Sequence, residues 1–208
     1  MSVPGDHPLG LRERKKIKLR RTIQAEAMRL FRSEGYDRTT VEQIVAAAET
    51  STTTFYRYFP TKEDVVLSDE YDPLFERIVG ERPAGEPLHA SVLAGTTAVV
   101  AAATADAEGR AYTLARLRLA ADVPAIQARQ AVEDRKTYAA VARVLAARSG
   151  RPVDDYRLRL TATALTAVQF EAARYWAERG GVDDLADLVA QAITGLAPLL
   201  DALGTGSD

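Results

Sequence analysis

Apolar residues recur every three or four positions along most of this chain, which is the period of amphipathic helices. No convincing stretch shows the two-residue alternation of a strand. Residues 1–10 are rich in proline and glycine and predict a disordered tail, after which a long helix begins. Gly35 ends this helix, whose apolar face is Ile23, Ala27, Leu30 and Phe31. The pattern predicts an all-α protein.

Three shorter helices are predicted in close succession. Thr39 is the expected N-cap of the second helix, with Glu42 completing a capping box, and the buried face is Val41, Ile44, Val45 and Ala48. A third helix is expected from Ser51 to about Tyr58, and Pro60 ends it before a fourth begins at 61–64. Closely linked short helices after a longer one are the layout of a helix-turn-helix.

The rest of the chain predicts further helices. The first covers residues 88–105, and after an interruption at 108–109 a second ends near residue 121. The remaining three cover 124–149, 155–179 and 185–203. The last two carry broad apolar faces, comprising Leu158, Leu165, Val168, Ala172, Tyr175 and Trp176, then Leu185, Leu188, Val189, Ala192, Ile193, Leu196, Leu199, Leu200 and Leu203. We therefore divide the chain into a tail (1–10), a three-helix head (11–60) and an all-helical body (61–208).

The charges are distributed unevenly. The chain holds 27 Lys and Arg against 29 Asp and Glu, yet seven of the cations lie between residues 12 and 21, opposed only by Glu13. Such a concentration is typical either of a segment that meets a polyanion or of a well-solvated helix start.

The composition excludes several kinds of chemistry. The chain has no cysteine and two histidines, His7 and His89, so disulfides, thiolate nucleophiles and histidine-rich metal centres have no residues to build them. We expect no catalytic residues, no metal and no cofactor. No apolar run reaches the ~18 residues of a membrane span, and the N-terminus lacks a secretory signal, so a bacterial cytoplasmic location is expected.

The most specific pattern lies between Thr39 and Lys62. Its parts are Phe31, Gly35-Tyr36, Thr39-Thr40-Val41-Glu42-Gln43-Ile44-Val45 and Thr54-Phe55-Tyr56-Arg57-Tyr58-Phe59-Pro60-Thr61-Lys62-Glu63. Two turns, a run of aromatic residues and a Lys-Glu cap in this register resemble the DNA-binding head of the tetracycline-repressor-type (TetR) family of bacterial transcription regulators. The resemblance covers roughly residues 14–65, and the long helical body also suits that family.

The same residues suit a DNA major groove, which is about 12 Å wide and admits one helix by its N-terminal end. Small hydroxyl side chains permit close approach to bases. The predicted DNA-binding residues are Thr40, Ser51, Thr52, Thr53, Thr54, Tyr56, Arg57, Tyr58 and Lys62. The resemblance implies that Thr40, Tyr56 and Lys62 contact backbone phosphates of a double-stranded operator.

Some aromatic and hydroxyl residues of this segment also have structural interpretations. Phe55 and Phe59 are expected in the core of the head rather than on DNA. Tyr58 fits either stacking within the head or a phosphate contact, and Thr54 fits a contact with its own helix as well as one with a base.

One position departs from the family pattern. The family usually has Gly-Val before the recognition helix, and this chain has Glu49-Thr50. A glycine there eases a positive φ, so either the turn is built differently or Glu49 accepts about 1 kcal/mol of strain.

The resemblance implies a body that forms a homodimer through its last two helices and holds a small-molecule effector. The two broad apolar faces independently favour a four-helix interface, although they also fit burial within one protomer. A dimer places two recognition helices about 34 Å apart, which predicts a near-palindromic operator. We expect a repressor that its effector releases from DNA.

The effector is expected to be largely apolar. The candidate ligand-binding residues are Leu114, Leu117, Arg118, Tyr138, Phe170, Tyr175 and Trp176, although residues of this kind at helical spacing also fit plain core. Arg118 would suit a ligand carboxylate or phosphate. Residues 122–126 together with Tyr175-Trp176 loosely resemble an actinobacterial subgroup of the family that responds to acyl-CoA-like ligands, and the identity of the effector stays open.

Two other classes of protein remain as alternatives, namely a helical small-molecule enzyme and a helical binding or scaffold protein that does not bind DNA. No nucleophile–base pair or pair of carboxylates on a buried face supports the enzyme. A steep fall in affinity for duplex DNA with rising salt would exclude the binding or scaffold protein that does not bind DNA.

Overall fold

The computed structural model describes residues 11–68 and 72–204, so the predicted tail at 1–10 lies outside the described residues. Within those ranges every regular element is a helix, which confirms the all-α class. The chain divides into two compact units, one up to Val66 and the other from Leu67 onward. Each unit has its own core.

The first unit consists of α1 (Leu11–Glu34), α2 (Val41–Ala47), α3 (Thr52–Tyr58) and α4 (Lys62–Leu67), which ends at the division. Its apolar core brings α1, α2 and α3 together through side chains that are less than 2% exposed, namely Ile23, Ala27, Met28, Ile44, Phe55 and Phe59. Gly35 has a φ of +90° directly after α1, as the sequence predicted for a helix-ending glycine. Phe55 and Phe59 are thus core residues, as expected.

The N-cap of α2 is one residue later than predicted. Thr40, not Thr39, accepts the backbone N–H of Gln43 at 3.2 Å, and the Gln43 side chain accepts the Thr40 N–H at 2.7 Å. Thr39 is 1% exposed and donates its hydroxyl to the Gly35 carbonyl at 2.9 Å. Both registers fit a capping box in the sequence, and the burial of Thr39 against the end of α1 selects between them.

The boundary between the units falls six residues after the predicted end of the head at residue 60. The start of α4 is joined to the first unit, since Gln24 in α1 donates its side-chain amide to the Val65 carbonyl at 3.2 Å and Val65 and Val66 are buried. Contacts over 41 residues of sequence carry no local signal, which is why the pattern placed the boundary at Pro60.

The second unit holds α5 (Asp72–Glu81), α6 (Leu88–Ala103), α7 (Ala107–Asp122), α8 (Pro124–Ser149), α9 (Tyr156–Glu178), α10 (Leu185–Gly195) and α11 (Ala197–Gly204). One apolar cluster joins them, and much of it comes from the two faces singled out in the sequence: Leu158, Leu165, Ala172, Trp176, Leu185, Val189, Ile193, Leu200 and Leu203. These residues are buried within the protomer.

Three details of the body differ from the sequence prediction. Helix α5 was not predicted. The break before α7 lies at 104–106, because the Asp106 side chain caps the Gly109 N–H at 2.8 Å and so places Gly109 inside the first turn. The final helix is two helices bent by 57°, since Gly195 weakens α10 and Pro198 lacks the N–H that a continuous helix requires.

Gly95 sets the distance between α5 and α6. A Cβ on Gly95 would lie 2.6 Å from the Val79 Cγ2 and 3.0 Å from the Phe75 ring, well inside van der Waals contact. The absence of a side chain therefore lets the two helices approach closely.

No single helix in the described part of the chain has the length and apolar composition needed to cross a membrane. The two sharply bent pairs α6–α7 and α10–α11 reach that length and composition only when each pair is taken together.

Candidate nucleic-acid interface

Helix α3 presents a polar surface on one side and aromatic core on the other. Ser51 is its N-cap, and its hydroxyl accepts the Thr54 N–H at 3.2 Å and donates to the Thr54 hydroxyl at 3.0 Å. Ser51 and Thr53 are exposed, whereas Thr52 and Thr54 are half-buried. The first turn of α3 therefore offers hydroxyl groups to solvent, with Thr54 partly engaged in its own helix.

The aromatic residues of α3 divide between its two sides. The buried Phe55 ring packs edge-on against Tyr56 with ring centroids 5.3 Å apart and lies 5.7 Å from Phe59. Tyr56 is 52% exposed, so its phenol projects from the helix surface. A phenol held by a core ring yet open to solvent is a well-positioned donor for a phosphate.

Arg57 and Tyr58 form a pair at the end of α3. The exposed Arg57 guanidinium lies over the half-buried Tyr58 ring, 5.2 Å from its centroid, and Tyr58 lies 6.5 Å from Phe59. The ring thus stacks within the head. Of the two roles considered for Tyr58 from the sequence, this geometry fits packing within the head. The Arg57 guanidinium above the Tyr58 ring stays exposed.

Lys62 is positioned by backbone carbonyls at the start of α4. Its ammonium donates to the Tyr36 carbonyl at 2.9 Å and to the Thr39 carbonyl at 3.1 Å, and it lies 4.0 Å above the Tyr36 ring. An ammonium has three donors, so one remains for an anion. The cation therefore joins the α1–α2 turn to α4.

Tyr36 and Glu63 complete this cluster, and neither was predicted as a site residue. The Tyr36 hydroxyl donates to the Glu63 carboxylate at 2.7 Å. Burial first, and then this carboxylate, raise the pKa of Tyr36 above its usual value. Burial has the largest single effect and would raise the pKa of Glu63. The hydrogen bonds from the Tyr36 hydroxyl, the backbone and Thr61, together with the charge of Lys62, jointly outweigh it, so the pKa of Glu63 is lowered. The sequence feature that could have pointed to Tyr36 and Glu63 was their place in the Gly35-Tyr36 and Lys62-Glu63 pairs of the family pattern.

Glu49 has a φ of +49° and is the one positive-φ residue other than glycine in the described part of the chain. Its N–H donates to the Ala46 carbonyl and the Thr50 N–H donates to the Val45 carbonyl, which is the Schellman arrangement at the end of α2. Of the two outcomes left open by the sequence, the turn keeps its usual form and Glu49 adopts the strained conformation. Its side chain is exposed two residues before Ser51.

The expected ligand-binding residues lie in the second unit, some at its apolar cluster and others exposed on α7 and α9. Leu114 and Trp176 meet at the Gly180–Gly181 turn, where a Cβ on Gly181 would touch both at 3.1–3.2 Å. The buried Trp176 donates its indole N–H to the Asp183 carbonyl at 2.9 Å. Arg118, which is exposed, donates to the Ala177 carbonyl beside this turn.

Two further members of that set, Leu117 and Tyr138, are partly buried against the same apolar cluster that contains Trp176 and against which Leu114 packs. Phe170 and Tyr175 are 39% and 44% exposed on α9. A surface groove of about 450 Å³ between α5 and α8 contains none of the set, since it is lined by Glu76, Gly80, Ala84, Arg143, Val144, Ala147 and Arg148. The role in ligand binding of the residues chosen from the sequence stays a prediction.

The exposed residues of α3 can do the chemistry of groove recognition. Hydroxyl groups at its first turn donate to or accept from base edges, and a phenol, a guanidinium and an ammonium nearby suit phosphates. Among the described residues, no three His, Cys, Asp or Glu side chains are grouped so that they hold a metal ion.

Comparison with known sequences assigns both units. Residues 23–68 match "Bacterial regulatory proteins, tetR family", and residues 90–201 match the MftR C-terminal domain. The HTH-type transcriptional regulator TcmR of Streptomyces glaucescens is 36% identical over 182 residues, covering 84% of this chain and 80% of TcmR. The uncharacterised HTH-type regulator YuxN of Bacillus subtilis is 38% identical over 63 residues, which cover 29% of this chain and 22% of YuxN.

Solved structures agree on the fold. FadR of Thermus thermophilus, a TetR-family repressor determined in complex with lauroyl-CoA, is 27% identical with a TM-score of 0.54, covering 91% of this chain and 96% of that one. A regulator from Syntrophomonas wolfei, at 19% identity and a TM-score of 0.61, covers 88% and 96% and shows the same fold. This chain belongs to the tetR family of bacterial regulatory proteins, which are ligand-responsive DNA-binding transcriptional regulators.

Proposed function

We propose that this regulator is a repressor that binds a near-palindromic operator as a homodimer and leaves it when a largely apolar small molecule binds the body. The observation that carries the DNA-binding part is the exposed first turn of α3, with Ser51 and Thr53 at its tip and Tyr56 beside it. In this proposal Thr52 and Thr53 read bases, and Thr40, Tyr56 and Lys62 hold phosphates.

Residues left exposed on α9 support the homodimer. Tyr156, Leu160, Thr163, Ala167 and Phe170 recur at three- and four-residue spacings, so they project from the same side of the helix, and all five are exposed. On the neighbouring α11, Leu199 is 41% exposed. The dimer face we propose is therefore this stripe together with Leu199. Most other residues of the two apolar faces chosen from the sequence are buried or partly buried within the protomer, although Tyr175 is exposed.

The likeness to FadR supports an effector with an acyl chain. That protein was determined with lauroyl-CoA, and it covers 91% of this chain at 27% identity. We propose that the acyl chain occupies apolar space near Leu114 and Trp176, with Arg118 available to an anionic group of the ligand. Helices α7 and α9, which carry these residues, both pack in the apolar cluster of the second unit. A ligand inserted there would therefore displace these helices.

Release then follows from a difference in affinity. A dimer whose heads fit one duplex binds the operator, and an effector that favours another spacing of the heads weakens this binding. A coupling of about 1–3 kcal/mol corresponds to a change in operator affinity of about 5–150-fold.

Selection of duplexes from a random pool with the full-length protein tests DNA binding and symmetry together. We expect an inverted repeat whose half-sites lie about one helical turn apart. An asymmetric consensus would contradict the homodimer on a palindrome. No enrichment of any sequence would contradict base recognition.

Matched substitutions separate base contacts from phosphate contacts. Tyr56→Phe removes one hydroxyl from an exposed ring and is expected to weaken binding to all duplexes about equally. Thr53→Val, which keeps the shape and removes the hydroxyl, is expected to change the order of preference among duplexes. Unchanged affinity and salt dependence for Tyr56→Phe would refute its phosphate role.

The effector proposal is tested by measuring operator affinity with lauroyl-CoA, lauric acid or coenzyme A added. We expect lauroyl-CoA to lower the affinity within the range given above and coenzyme A alone to have little effect. Calorimetry shows whether each compound binds the protein. Binding without any change in operator affinity would refute release, and failure to bind would refute the acyl-CoA class.

A further inference from the structure

The side of α9 that faces the core of the second unit contains one polar residue among apolar ones. Residues that alternate in steps of three and four positions point in the same direction from a helix, and we call this buried row the inner line of α9. Its apolar members, which are at most 9% exposed, are Leu158, Ala162, Leu165, Ala172 and Trp176. Gln169 occupies the remaining position and is only half-buried. The tight burial of the inner line is therefore interrupted at Gln169.

The half-burial of Gln169 indicates open space inside the second unit. Leu165 and Trp176, which precede and follow it on the inner line, are both 0% exposed, so Gln169 does not lie at the edge of the buried face. Ala173, one turn further along the same side of α9, is also half-buried. Close packing would leave side chains in these positions as inaccessible as their neighbours.

The adjoining part of α6 shows the same loss of burial. The Gln169 side-chain amide donates to the Thr96 hydroxyl at 3.2 Å, so these parts of α9 and α6 lie side by side. Val92 is 0% exposed on the inward side of α6, whereas Val99 and Ala103, further along that side, are half-buried. Inward-pointing side chains that stay accessible on two neighbouring helices line a cavity.

The contact with Thr96 leaves the side-chain carbonyl of Gln169 without a donor. Thr96 is 7% exposed and donates its hydroxyl to the Val92 carbonyl at 3.0 Å, so its oxygen is the acceptor for Gln169. The amide N–H of Gln169 therefore points to Thr96, which fixes the orientation of the amide. The carbonyl oxygen accepts no hydrogen bond from the part of the chain that the structure describes. An acceptor among apolar side chains needs a donor from a ligand or from water.

Helix α8 adds further acceptors to this part of the second unit. Its inward side is apolar towards both ends, where Ile126 and Val141 are buried. Between them lie three half-buried polar residues, namely Gln130, Asp134 and Thr137. Helices α8 and α9 pack together and are joined by the short loop 150–155, so they are antiparallel, and Thr137 and Gln169 lie at similar distances from that loop. Carboxylate, hydroxyl and amide oxygens there suit a ligand that donates hydrogen bonds.

We propose that Gln169 is a specificity-determining residue of the effector site and accepts a hydrogen bond from a hydroxyl group on the otherwise apolar body of the effector. This inference rests on the proposed binding of an effector by the second unit and names a chemical feature of that effector. A hydroxyl group supplies the donor that the Gln169 carbonyl lacks. A saturated chain supplies none, and a ketone places a second acceptor against the first, so the site disfavours both.

Phenol and toluene test this site without knowledge of the natural effector. The two compounds have nearly the same shape, differ in one hydroxyl group, and are small enough to enter a modest cavity. Their dissociation constants are measured with the full-length protein by NMR titration. Gln169→Met keeps the length of the side chain and removes the amide. Gln191→Met, the same change at an exposed position of α10, is the matched control.

We expect the preference for phenol over toluene, expressed as the ratio of their dissociation constants, to be at least about tenfold greater in wild type than in Gln169→Met. Gln191→Met should keep the wild-type ratio. In the wild-type protein the side-chain amide signals of Gln169, assigned by their absence from the variant, should shift with phenol. Gln169→Met should unfold at the wild-type temperature or above it, because it removes an acceptor that has no donor.

Lauric acid and its monohydroxylated derivatives, one for each carbon of the chain beyond the carboxyl group, extend the test to the proposed acyl class. At least one derivative should bind wild type more tightly than lauric acid and lower operator affinity further at equal concentration. The oxo acid substituted at the same carbon should not. In Gln169→Met the advantage of that derivative over lauric acid should fall at least about tenfold.

The outcomes separate this inference from the proposed function. Failure of both phenol and toluene to bind would refute the open space at Gln169. An unchanged ratio in Gln169→Met would refute the hydroxyl contact, and a large loss of stability in that variant would refute the acceptor without a donor. These measurements involve neither DNA nor an acyl chain, so they leave the proposed release by an acyl-CoA standing. If lauric acid and all its derivatives fail to bind, the acyl class is refuted, and the comparison of phenol with toluene still decides the role of Gln169.

Discussion

Glu49 allows a sharp test of how the turn before α3 is built. Its backbone has a φ of +49° at the position after α2 where Schellman turns prefer glycine. An L side chain in this region costs about 1–2 kcal/mol, and its carboxylate is exposed. Glu49→Gly removes that strain but adds about 0.5–1 kcal/mol of backbone freedom to the unfolded chain. The expected net effect is a stabilisation of about 0.5–1 kcal/mol.

A series at this position separates strain from charge. We expect the free energy of unfolding of the first unit to decrease in the order Gly, Asn, Gln and Val at position 49, because Asn tolerates a positive φ and a β-branched side chain does not. Glu49→Gln is the control for loss of charge and should match wild type. For a unit of this size each kcal/mol shifts Tm by about 4–8 °C.

Thermal unfolding and hydrogen exchange of the Thr50 and Phe55 amides give the two measurements, since both N–H groups donate across this turn and the start of α3. Exchange should be slower in Glu49→Gly and faster in Glu49→Val. A Glu49→Gly protein no more stable than Glu49→Gln would show that the positive φ carries no strain here and would refute the reasoning.

Three further predictions concern packing, acid stability and assembly. Gly95→Ala is expected to destabilise the second unit by about 1–2 kcal/mol in urea unfolding, although alanine is the better helix former, because its Cβ would lie 2.6 Å from a buried side chain of α5; stabilisation would contradict this account of the close approach. Tyr36→Phe is expected to destabilise the head by about 1 kcal/mol at neutral pH. The pKa of Glu63 in the folded protein lies below its ordinary value of 4.5, so the stabilisation by this hydrogen bond is complete above pH 4.5 and is lost as the pH falls through the lower folded pKa. The difference in the free energy of unfolding between wild type and Tyr36→Phe should therefore shrink as the pH falls through that range. A difference that stays constant with pH would contradict the coupling between Tyr36 and Glu63. Leu160→Glu is expected to convert the proposed dimer to monomers in light scattering, while Val132→Glu, which places the same charge at an exposed position of α8, leaves it intact; a dimeric Leu160→Glu protein would refute the α9 face.

Local signals accounted for most of the helices. A glycine or proline at a helix end acts through its own backbone, so the ends at Gly35, Pro124 and Gly150 were predictable without knowledge of the fold. The buried Phe55 and Phe59 followed from periodicity in the same way. The bend between α10 and α11 also had a local signal in Gly195 and Pro198, although the continuous apolar stripe across these residues favoured a single helix.

Other features depended on partners distant in the sequence. Whether Thr39 or Thr40 caps α2 was decided by burial against α1. The role of Lys62 was decided by two carbonyls more than 20 residues away, so a side chain expected at phosphates is also a link within the head. Of the candidate ligand residues, Leu114, Leu117, Tyr138 and Trp176 share one apolar cluster, whereas Phe170 and Tyr175 are exposed. The sequence did not separate the two groups, because helical periodicity gives a direction on one helix and not the neighbour that it meets.

The sequence by itself determined the helical class, the succession of short helices in the helix-turn-helix and the amino acids that face outward from α3, since each depends on neighbours within one turn of helix. The tertiary structure decided which apolar faces the protomer buries and which stripe of α9 stays exposed. An apolar side chain gains free energy by leaving water whatever surface covers it, so its sequence pattern shows that it will be buried without showing by what.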